Sequence, residues 1–398
     1  MKGSKGKILH INDYPAGNSG GTEVLLARTV ELLGQEGYEV QTFTAQDLDD
    51  TRLTALRYVD NPVSRRKLTQ RLDSFQPHIV HLHNFYHLLS PGILQVLAAY
   101  KRSRPVQVVM TAHDYHLVCP NSGGTWFTVR SQRRQPIDPR RLRRWPYLLF
   151  RKWDHRGLGY SLLKLIQHIW HYRLHDRREI IDVLISPSRF LQGLFAQVGQ
   201  RAMVLPPPAP PPFPRRQRPP GMLHLAFVGR IEPEKGLREF LELLPASFEG
   251  MFTIIGDGSD LARCRETCRR RGLESRVHFL GRRLHAEVFD LVAQAHVLVV
   301  PSLVLESYAI NVIEALAVGT NLLVPDRGAA REIVEASGVG YLFRPGNAAD
   351  LARQLEGIAQ SQKAGTLNEF DVSEFLEQRS EAVYLRTLLE IYQNKAAA

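Results

Sequence analysis

The sequence predicts an α/β protein with two doubly wound, parallel-sheet domains. The chain has 398 residues, and one hydrophobic core rarely serves more than about 250–300 residues, so two domains are expected. Short apolar segments of strand character alternate with amphipathic segments of helical period, which is typical of parallel sheets covered by helices on both faces. The alternation begins again after a proline-rich segment, and this restart indicates a second domain of the same kind.

The first half contains five predicted strands with helices between them. The strands are predicted at 7–13, 38–45, 78–84, 105–114 and 182–188, and the helices at 21–37, 64–77 and 90–103. Gly37 suits the end of the first helix, because glycine accepts the left-handed conformation that commonly follows a helix. Consecutive parallel strands need such crossover helices, so this order predicts a doubly wound sheet.

Residues 204–221, with the sequence VLPPPAPPPFPRRQRPPG, separate the two halves. Proline has no amide donor and a fixed φ, so this segment cannot form a helix or an interior strand. It predicts a stiff interdomain linker at 206–221, and a polyproline ligand for a partner protein is the alternative.

The second half repeats the strand and helix alternation. Strands are predicted at 223–230, 251–258, 276–282, 296–302 and 320–326, and one or two helices at 371–393. The predicted domains are therefore 1–205 and 222–375, with a basic insertion at about 121–181 in the first. The C-terminal helix, 376–398, is expected to return to the first domain.

The net charge of +11 is concentrated in the insertion. Residues 130–178 carry 14 Arg or Lys against three Asp, interleaved with Trp, Tyr, Phe and Leu. This composition suits a surface that meets anionic lipid headgroups or a lipid-linked substrate. A solvated basic face and a nucleic-acid surface are the alternatives.

Neither a membrane span nor a signal peptide is predicted, because the apolar segments are much shorter than roughly 18 residues. Cys119, Cys264 and Cys268 are too few for a disulfide framework, and packing roles are expected for them. These features predict a cytoplasmic protein. Four histidines at 78, 81, 83 and 87 lie close in sequence, but without acidic partners no metal site is predicted.

Several candidate binding loops follow predicted strands, where ligands of doubly wound sheets bind. GNSGGTEV at 17–24 places Gly20 and Gly21 at a helix start, where free amides favour anions. GRIEPEKG at 229–236 offers Arg230 and Lys235, two cations that can neutralise a diphosphate. GDG at 256–258 is by itself only a turn signal.

The segment LESYAINVIEALAVG at 305–319 contains two glutamates. A helix is predicted from about Ala309 to Val318, ended by Gly319, so Glu306 lies in a loop and Glu314 lies within the helix. Two carboxylates so placed can accept hydrogen bonds from hydroxyls on two parts of one ligand, with the helix N-terminus between them taking a phosphate. Two unrelated surface acids are the alternative.

Together, the glycine pair, TAHDYHLVCP, GRIEPEKG, GDG and ESYAINVIE resemble retaining glycosyltransferases of the GT-B fold, specifically glycosyltransferase family 4. The resemblance runs through nearly the whole chain in the family's order. It implies two Rossmann-like domains facing a cleft, with a nucleotide-sugar donor bound mainly by the C-terminal domain.

The resemblance also implies roles for individual residues. Arg230 and Lys235 would contact the diphosphate, Glu314 the ribose and Glu306 the donor sugar. The remaining implied contacts are with the sugar and phosphate (backbone of Ser307, Tyr308, Ala309 and Ile310), the diphosphate (Gly20 and Gly21), the base (Arg282 and Leu284), the donor in general (Gly256) and the reacting face of the sugar (His113). Ser307 and Tyr308 replace the glycine and small residue usual in the family, which leaves the donor sugar open.

The implied activity is transfer of a hexose from a UDP- or GDP-linked sugar to a glycan or lipid-linked acceptor, with retention and without a metal or other cofactor. Basic residues would stabilise the leaving diphosphate. A role in surface polysaccharide synthesis and peripheral contact with an anionic membrane surface are expected, and nucleic acid is not an expected partner. A phosphorylase or epimerase of the same fold, and a non-catalytic nucleic-acid-binding protein, are the alternatives.

Overall fold

The computed structural model describes residues 5–17, 20–52, 54–129, 134–211, 213, 218 and 221–393. The chain forms two compact units, one made of residues 1–207 and 384–398 and the other of residues 208–383. Each unit is built around a six-stranded sheet in which every recorded pairing is parallel. The predicted α/β fold with two doubly wound sheets is therefore confirmed.

The main sheet of the first unit has the strand order β2-β1-β3-β4-β7-β8, and β5 and β6 form a separate antiparallel pair. Its strands are β1 (Lys7–Ile11), β2 (Glu39–Phe43), β3 (Ile79–Leu82), β4 (Gln107–Thr111), β5 (Thr125–Phe127), β6 (Arg134–Pro136), β7 (Val183–Ser186) and β8 (Met203–Val204). The chain reverses its direction of winding between β1 and β3. At such a point the connections leave a crevice at the carboxyl ends of the two strands.

Helices cover this sheet: α1 (Gly21–Gln35), α2 (Ala55–Val59), α3 (Pro62–Phe75), α4 (Ile93–Ser103), α5 (Trp145–Leu149), α6 (Leu158–Ile169) and α7 (Arg189–Gln197). Helix α3 starts two residues before the predicted start at 64. The Asn61 side chain accepts hydrogen bonds from the Val63 and Ser64 amides, and Pro62 occupies the first helical position. Both features favour a helix start at this point.

The second unit has the strand order β11-β10-β9-β12-β13-β14. Its strands are β9 (His224–Val228), β10 (Met251–Ile255), β11 (Val277–Gly281), β12 (Val297–Val299), β13 (Asn321–Pro325) and β14 (Tyr341–Phe343). Its helices are α8 (Leu237–Leu243), α9 (Leu261–Arg271), α10 (His285–Gln294), α11 (Ile310–Ala317), α12 (Gly328–Ser337), α13 (Ala348–Lys363) and α14 (Ser373–Glu377). The winding reverses between β9 and β12, so the equivalent crevice lies at their carboxyl ends.

Alternate residues of the second sheet enter two different hydrophobic clusters. Ala226, Leu298 and Leu322 belong to one cluster, whereas Leu225 and Val297 belong to the other. Successive side chains of a strand point to opposite faces, so both faces of this sheet are buried beneath helices. This explains why its strands are apolar without alternation in the sequence.

The last helix, α15 (Glu381–Gln393), brings the chain back to the first unit, which it enters at Tyr384. Tyr384, Leu388 and Ile391 share a buried cluster with Ile8 and Ile79. The preceding short helix α14 still contributes to a cluster of the second unit, which extends to Val383. The core of the first unit is thus completed by the end of the chain.

From Ala209 onward, described residues of the proline-rich segment are hydrogen-bonded to the second unit. The Ala209 amide donates to the Arg379 carbonyl at 2.7 Å, and the Phe213 amide donates to the Ala317 carbonyl at 3.1 Å. The Arg218 guanidinium donates through Nε to the Ala295 carbonyl at 2.8 Å. The boundary between the compact units lies at 207/208, within the predicted linker, so its described residues from 208 onward belong to the second unit.

Within the described part of the chain, the helices are all too short or too polar to cross a membrane.

Candidate functional site

Two loops of the second unit meet at the carboxyl ends of β9 and β12, the neighbouring strands between which the winding reverses. The loop after β9 ends in a 3₁₀ turn, Pro233–Lys235, and Gly236 then adopts φ 68° before α8. A Cβ atom at Gly236 would lie 2.3 Å from the Pro301 carbonyl oxygen. The Leu303 amide donates to the Glu234 carbonyl at 2.9 Å. Glycine at 236 therefore lets the two loops pack closely.

Lys235 and Glu306 are brought together across these loops. Lys235 Nζ lies 2.8 Å from Glu306 Oε1, and the Ser302 hydroxyl donates to the same oxygen. The Glu306 side chain is 16 % exposed and that of Lys235 is 27 % exposed. Because both contacts use Oε1, the second carboxylate oxygen can accept from a ligand hydroxyl. Lys235 and Glu306 are 71 positions apart in sequence and form one ion pair. Both were expected to contact the same nucleotide-sugar.

Arg327 and Gly328 support the Glu306 loop, and the sequence analysis missed both. Arg327 Nη2 donates to the Leu303 carbonyl at 2.9 Å, and the Ala329 amide donates to the Glu306 carbonyl at 3.2 Å. A Cβ atom at Gly328 would lie 3.3 Å from the Glu306 amide nitrogen. Burial lowers the pKa of Arg327 below its ordinary value. The available signal was DRG, which directly follows a predicted strand and is therefore at the same edge of the sheet.

The Glu306 loop leads into α11, which begins at Ile310 after Ala309 without a side-chain cap. Its first amides therefore have no cap from the Ala309 side chain and can serve a ligand. Glu306 lies in the loop and Glu314 in the helix, as predicted, and Gly319 has the predicted left-handed φ of 75°.

Tyr308 packs into the second unit. Its ring lies against a buried cluster that includes Ala309, and burial raises the pKa of its hydroxyl above the ordinary value. Arg379 and Glu332 are the charged groups that influence this hydroxyl. In the same loop, Ser307 places a backbone amide next to Glu306. The Tyr308 side chain instead packs against the hydrophobic cluster.

Glu314 borders a shallow recess that is open to solvent and is lined by Val228, Val288, Phe289, Val292 and Asn311. Glu314 Oε1 lies 3.7 Å from His285 Nε2, and Asn311 Nδ2 donates to the Val228 carbonyl at 3.1 Å. Burial raises the pKa of Glu314, and His285 opposes this rise when it is charged. The recess combines an apolar wall with a carboxylate and an amide at one end.

Arg230, Arg282 and Leu284 lie on the surface of the same unit. The Arg230 side chain is 65 % exposed and approaches Glu234 at 4.0 Å. Arg282 is exposed, and Leu284, 75 % exposed, precedes α10 and donates its amide to the Glu287 carboxylate at 2.8 Å. All three follow the carboxyl ends of β9 or β11, but no recorded contact joins them to Glu306 or Glu314.

Gly256 has a packing role. It adopts φ 146°, and a Cβ atom there would lie 1.9 Å from the Gly229 carbonyl oxygen. The Ile231 amide also donates to the Asp257 carbonyl at 2.8 Å. The loops after β9 and β10 therefore pack backbone to backbone, which a side chain at 256 would prevent.

In the first unit, Gly20 and Gly21 lie at the start of α1, after β1. Residues 18–19 of the predicted motif lie outside the described residues. Gly20 is extended, and a Cβ atom there would lie 2.6 Å from Glu23 Oε2. Glu23 is buried, and its Oε1 accepts from Asn12 Nδ2 at 3.4 Å. Sequence reasoning missed Glu23, which places an acid beside the amides that were predicted to bind an anion.

His113 follows β4 and lies next to His83, which follows β3. His113 Nε2 lies 3.0 Å from His83 Nδ1, and burial lowers the pKa of His113 to about 4. His81 and His83 lie on the same face of the sheet, with ring centroids 4.5 Å apart. His78 instead accepts from the Lys7 amide, and His10 on β1, missed in the sequence, joins the group.

His10, His81 and His83 offer nitrogens within 4.8 Å of one another, the one group among the described residues with metal-binding spacing. Both nitrogens of His81 already have partners, Tyr392 Oη at 2.6 Å and Thr111 Oγ1 at 2.8 Å. A metal at this group would have to displace those hydrogen bonds. The arrangement fits a hydrogen-bonded cluster better than a metal centre.

The three cysteines are buried and unbridged, and Cys264 and Cys268 pack in a hydrophobic cluster of the second unit. Burial raises the pKa of Cys119 and of Cys264 to about 12, and that of Cys268 to about 11. A thiol of this kind stays protonated at neutral pH and is a poor nucleophile.

The basic insertion exposes apolar side chains at every fourth position of one helical run. Helix α6 continues into a π-helical turn, Trp170–Leu174, and the exposed stripe comprises Leu158, Leu162, Ile166, Trp170 and Leu174. Trp145, Leu149 and Phe150 on and after α5 are also exposed. Arg156 stacks over the Tyr160 ring at 4.0 Å, so cations accompany the apolar stripe.

Residues 214–370 match the family described as Glycosyl transferases group 1. The chain is 31 % identical over 142 residues to a phosphatidyl-myo-inositol mannosyltransferase of Mycobacterium leprae, covering 34 % of this chain and 37 % of that relative. The chain thus spans just over one third of the length of the curated relatives that it matches first.

Solved structures resemble the chain over nearly its whole length. A sucrose-phosphate synthase from Thermosynechococcus elongatus superposes with a TM-score of 0.72 at 17 % identity, covering 98 % of each chain. The Anabaena protein HepE in complex with UDP-glucose gives a TM-score of 0.63 at 18 % identity, covering 97 % of this chain and 99 % of that one. At these identities the likeness establishes the fold, the two Rossmann-like sheets of the GT-B architecture.

Proposed function

Residues 214–370 of this chain are a glycosyl transferases group 1 domain, and on that premise we propose that the protein moves a hexose from a UDP- or GDP-linked sugar to a glycan or lipid-linked acceptor. The observation that carries the proposal is the pair of Lys235 and Glu306 at the carboxyl ends of β9 and β12. A cation and a carboxylate on one face of the crevice fit the two halves of a nucleotide-sugar, its diphosphate and its sugar hydroxyls.

In this proposal Glu306 accepts hydrogen bonds from the donor sugar. Lys235 then serves the diphosphate, together with Arg230 and the amides at the start of α11. Arg230 is long and exposed, so its side chain can move to a phosphate without breaking a buried contact. Helix N-termini stabilise anions, which supports a phosphate position at Ile310. The amides of Ser307 and Ala309 lie in the same loop.

The recess beside Glu314 would receive the nucleoside. A carboxylate that is largely removed from water is a strong acceptor for ribose hydroxyls, and Asn311 lies beside it on the same helix. The Phe289 and Val288 wall suits the apolar face of a base. Arg282 and Leu284 would approach the base from the loop before α10.

The first unit would contribute Gly20, Gly21 and His113. The two glycines allow a diphosphate to approach the start of α1, and the Glu23 carboxylate beside them can accept hydrogen bonds from hydroxyl groups of the ligand. His113 would face the reacting part of the sugar. These roles follow the family resemblance and are proposed for each residue separately.

The reaction breaks the bond between the anomeric carbon and the diphosphate oxygen and forms a bond from that carbon to an acceptor oxygen. The acceptor proton passes to the leaving phosphate. Retention of configuration and independence of divalent cations are part of the proposal, because Lys235, Arg230 and the α11 amides can neutralise the leaving group. Turnover measured with and without EDTA tests the second point, and the anomeric signal of the product in NMR tests the first.

A thermal-shift screen of UDP-, GDP- and ADP-linked sugars tests donor binding, since a ligand that binds the folded state raises its unfolding temperature. Glu306→Ala should abolish transfer of the sugar that binds, while Glu249→Ala, an exposed acid of the same unit, should not. Full activity of Glu306→Ala would refute the proposal. Sugar release to phosphate, or epimerised donor, would instead identify a phosphorylase or an epimerase.

We also propose that the stripe on α6 and its π-helical turn contacts an anionic membrane surface, where a lipid-linked acceptor for polysaccharide synthesis would be found. Apolar residues such as Leu162 and Ile166 would enter the headgroup boundary, and cations such as Arg156 would pair with lipid phosphates. The exposed i, i+4 spacing of the stripe carries this proposal, because a solvated basic face does not require exposed Leu, Ile and Trp.

Sedimentation with vesicles of phosphatidylglycerol tests this surface. The wild type should bind at low salt and bind less at high salt, and Leu162→Ser with Ile166→Ser should weaken binding by about tenfold or more. Met222→Ser, an exposed apolar residue of the second unit, is the matched control. Failure to bind at low salt, or binding to RNA in preference to vesicles, would refute the membrane role.

A further inference from the structure

Three histidines form a hydrogen-bonded chain across three neighbouring strands of the first unit. His10 lies on β1, His83 follows β3, and His113 follows β4. His10 Nδ1 lies 3.0 Å from His83 Nε2, and His83 Nδ1 lies 3.0 Å from His113 Nε2. His10 and His83 are fully buried or nearly so, and the ring planes of successive members are inclined by 21–23°. The chain leads from the interior of the sheet to its carboxyl edge.

All three rings are neutral at neutral pH. Burial lowers the pKa of His10 to about 3 and that of His113 to about 4, and it places the pKa of His83 well below the ordinary value. Asp114 raises the pKa of His113, but its effect is smaller than that of burial. A neutral imidazole has one N–H and one bare nitrogen, so each ring can donate once and accept once along the chain.

This limit couples the protonation pattern of the three rings. If His10 carries its proton on Nδ1, it donates to His83 Nε2; His83 must then donate from Nδ1 to His113 Nε2, and the His113 proton must be on Nδ1. If His10 carries its proton on Nε2, every bond is reversed and the His113 proton is on Nε2. The position of the proton on His10 therefore determines its position on His113.

The environment of His10 Nε2 favours the first pattern. This nitrogen is buried and has no hydrogen-bond partner among the described residues. A buried N–H without an acceptor is a rare and costly arrangement in proteins, whereas an unpaired acceptor is better tolerated. A bare Nε2 on His10 places its proton on Nδ1.

We propose that His10 and His83 are positioning residues that hold His113 in the tautomer with its proton on Nδ1, so that His113 serves as a hydrogen-bond donor and not as a general base. His81 supports the chain, because its ring stacks on His83 while both of its nitrogens bond to Tyr392 and Thr111. The tautomer is a property of the first unit alone. Its catalytic consequence rests on the proposed function.

The tautomer can be measured directly on the full-length protein labelled with ¹⁵N-histidine. Long-range proton–nitrogen correlation spectra distinguish a protonated from a bare ring nitrogen, and His113→Gln identifies the signals of His113. We expect a protonated Nδ1 and a bare Nε2 on His113 at pH 7. A proton on Nε2 in the wild type would refute the proposal, whether or not the protein transfers sugar.

Two variants test the coupling. His10→Phe keeps the bond between His83 and His113 but removes the group that sets the direction, so His113 should become a mixture of both tautomers. His83→Phe keeps an aromatic ring in the stack and removes both hydrogen bonds, with the same expected result. His155→Gln, an exposed histidine, should leave the His113 signals unchanged. Unchanged His113 signals in both chain variants would overturn the proposal.

The catalytic consequence has its own measurement. In a protein shown to transfer sugar, His83→Phe should lower kcat by about 10- to 100-fold and leave the nucleotide Kd unchanged, because the residues proposed for nucleotide binding lie elsewhere. A loss of stability alone would lower the fraction of active enzyme and leave kcat per active site unchanged. An unchanged kcat per active site alongside the expected tautomer would reject the catalytic consequence and retain the tautomer assignment.

Discussion

Lys235 Nζ lies 2.8 Å from Glu306 Oε1 in the second unit, although neither side chain is fully removed from solvent. Without substrate, each partner therefore neutralises the other. A nucleotide-sugar brings phosphates for the lysine and hydroxyls for the glutamate, so donor binding would exchange this pair for two sets of charge-assisted contacts. The pair thereby keeps both groups ordered before the donor arrives.

Lys235→Met is expected to reduce kcat/KM for the nucleotide-sugar by about 10²–10³-fold, because it removes a cation from the developing diphosphate charge. Steady-state kinetics with the donor identified by the thermal-shift screen would measure this effect. Lys363→Met, at the exposed end of α13, is the matched control and should retain wild-type kinetics. Equal kinetics in both variants would exclude Lys235 from the diphosphate site.

Gly256→Ala is expected to lower the free energy of unfolding by about 3 kcal/mol or more, because the new Cβ would lie 1.9 Å from a carbonyl oxygen at a positive φ. Gly357→Ala lies within α13, where the new Cβ would be 3.9 Å from the nearest atom, Cε1 of Tyr341. This variant should instead raise the free energy of unfolding by about 0.5–1 kcal/mol. Urea denaturation of the two variants provides the comparison. A Gly256 variant as stable as the wild type would contradict the close loop packing.

Nucleotide binding is expected to weaken as the pH falls through the pKa of Glu314, because the protonated carboxyl loses its capacity as a double acceptor. Burial raises this pKa and a charged His285 lowers it, so His285→Asn should move the midpoint to higher pH. A raised carboxyl pKa means that folding favours the protonated form, so this site's contribution to stability declines as the pH rises through the same midpoint.

Calorimetric titration of the nucleotide over a pH series would locate that midpoint. His278→Asn, an exposed histidine on β11, is the control and should leave the midpoint in place. A shift to lower pH in His285→Asn would contradict the assigned electrostatic relationship.

Tyr308→Phe is expected to raise the free energy of unfolding by up to about 1 kcal/mol, because the hydroxyl is buried without a hydrogen-bond partner among the described residues. Tyr341→Phe removes a hydroxyl that lies 3.0 Å from Ser361 Oγ, and it should cost about 1 kcal/mol. Denaturation curves of the two variants should therefore move in opposite directions. A destabilised Tyr308 variant would indicate a polar role for its hydroxyl.

The sequence was sufficient to predict both sheets because buried parallel strands are short, apolar and separated by amphipathic helices. It did not reveal β8, β14 or the strand pair β5 and β6, each of which has two or three residues. The three-residue strand β12 was predicted because it lies in a longer apolar run at 296–302. The start of α3 was placed two residues too late because the capping signal of Asn61 and Pro62 was not considered. Helix α6, with 12 residues, was also not predicted, because the insertion was interpreted through its charge and aromatic content.

The positions of the candidate site residues in the fold were predictable where one loop carries its own pattern. Glu306 and Glu314 were located by their spacing around a helix start, and Lys235 by its loop. Arg327 and His10 were not found, because each acts through a contact between segments far apart in sequence. Glu23 was missed although it lies inside the glycine motif, because the motif was interpreted only through its glycines. Arg327 bonds to a loop 24 residues away, and His10 meets a histidine 73 positions later.

The return of the last helix to the first unit has a consequence for biosynthesis. During translation, residues 208–383 emerge as one uninterrupted segment, whereas the N-terminal unit lacks Leu388, Ile391 and Tyr392 until all of the second unit has been made. The unit made first is therefore the one completed last, and its face around Ile8 stays uncovered in the nascent chain. A circular permutant that places the last helix directly before β1 would remove this delay.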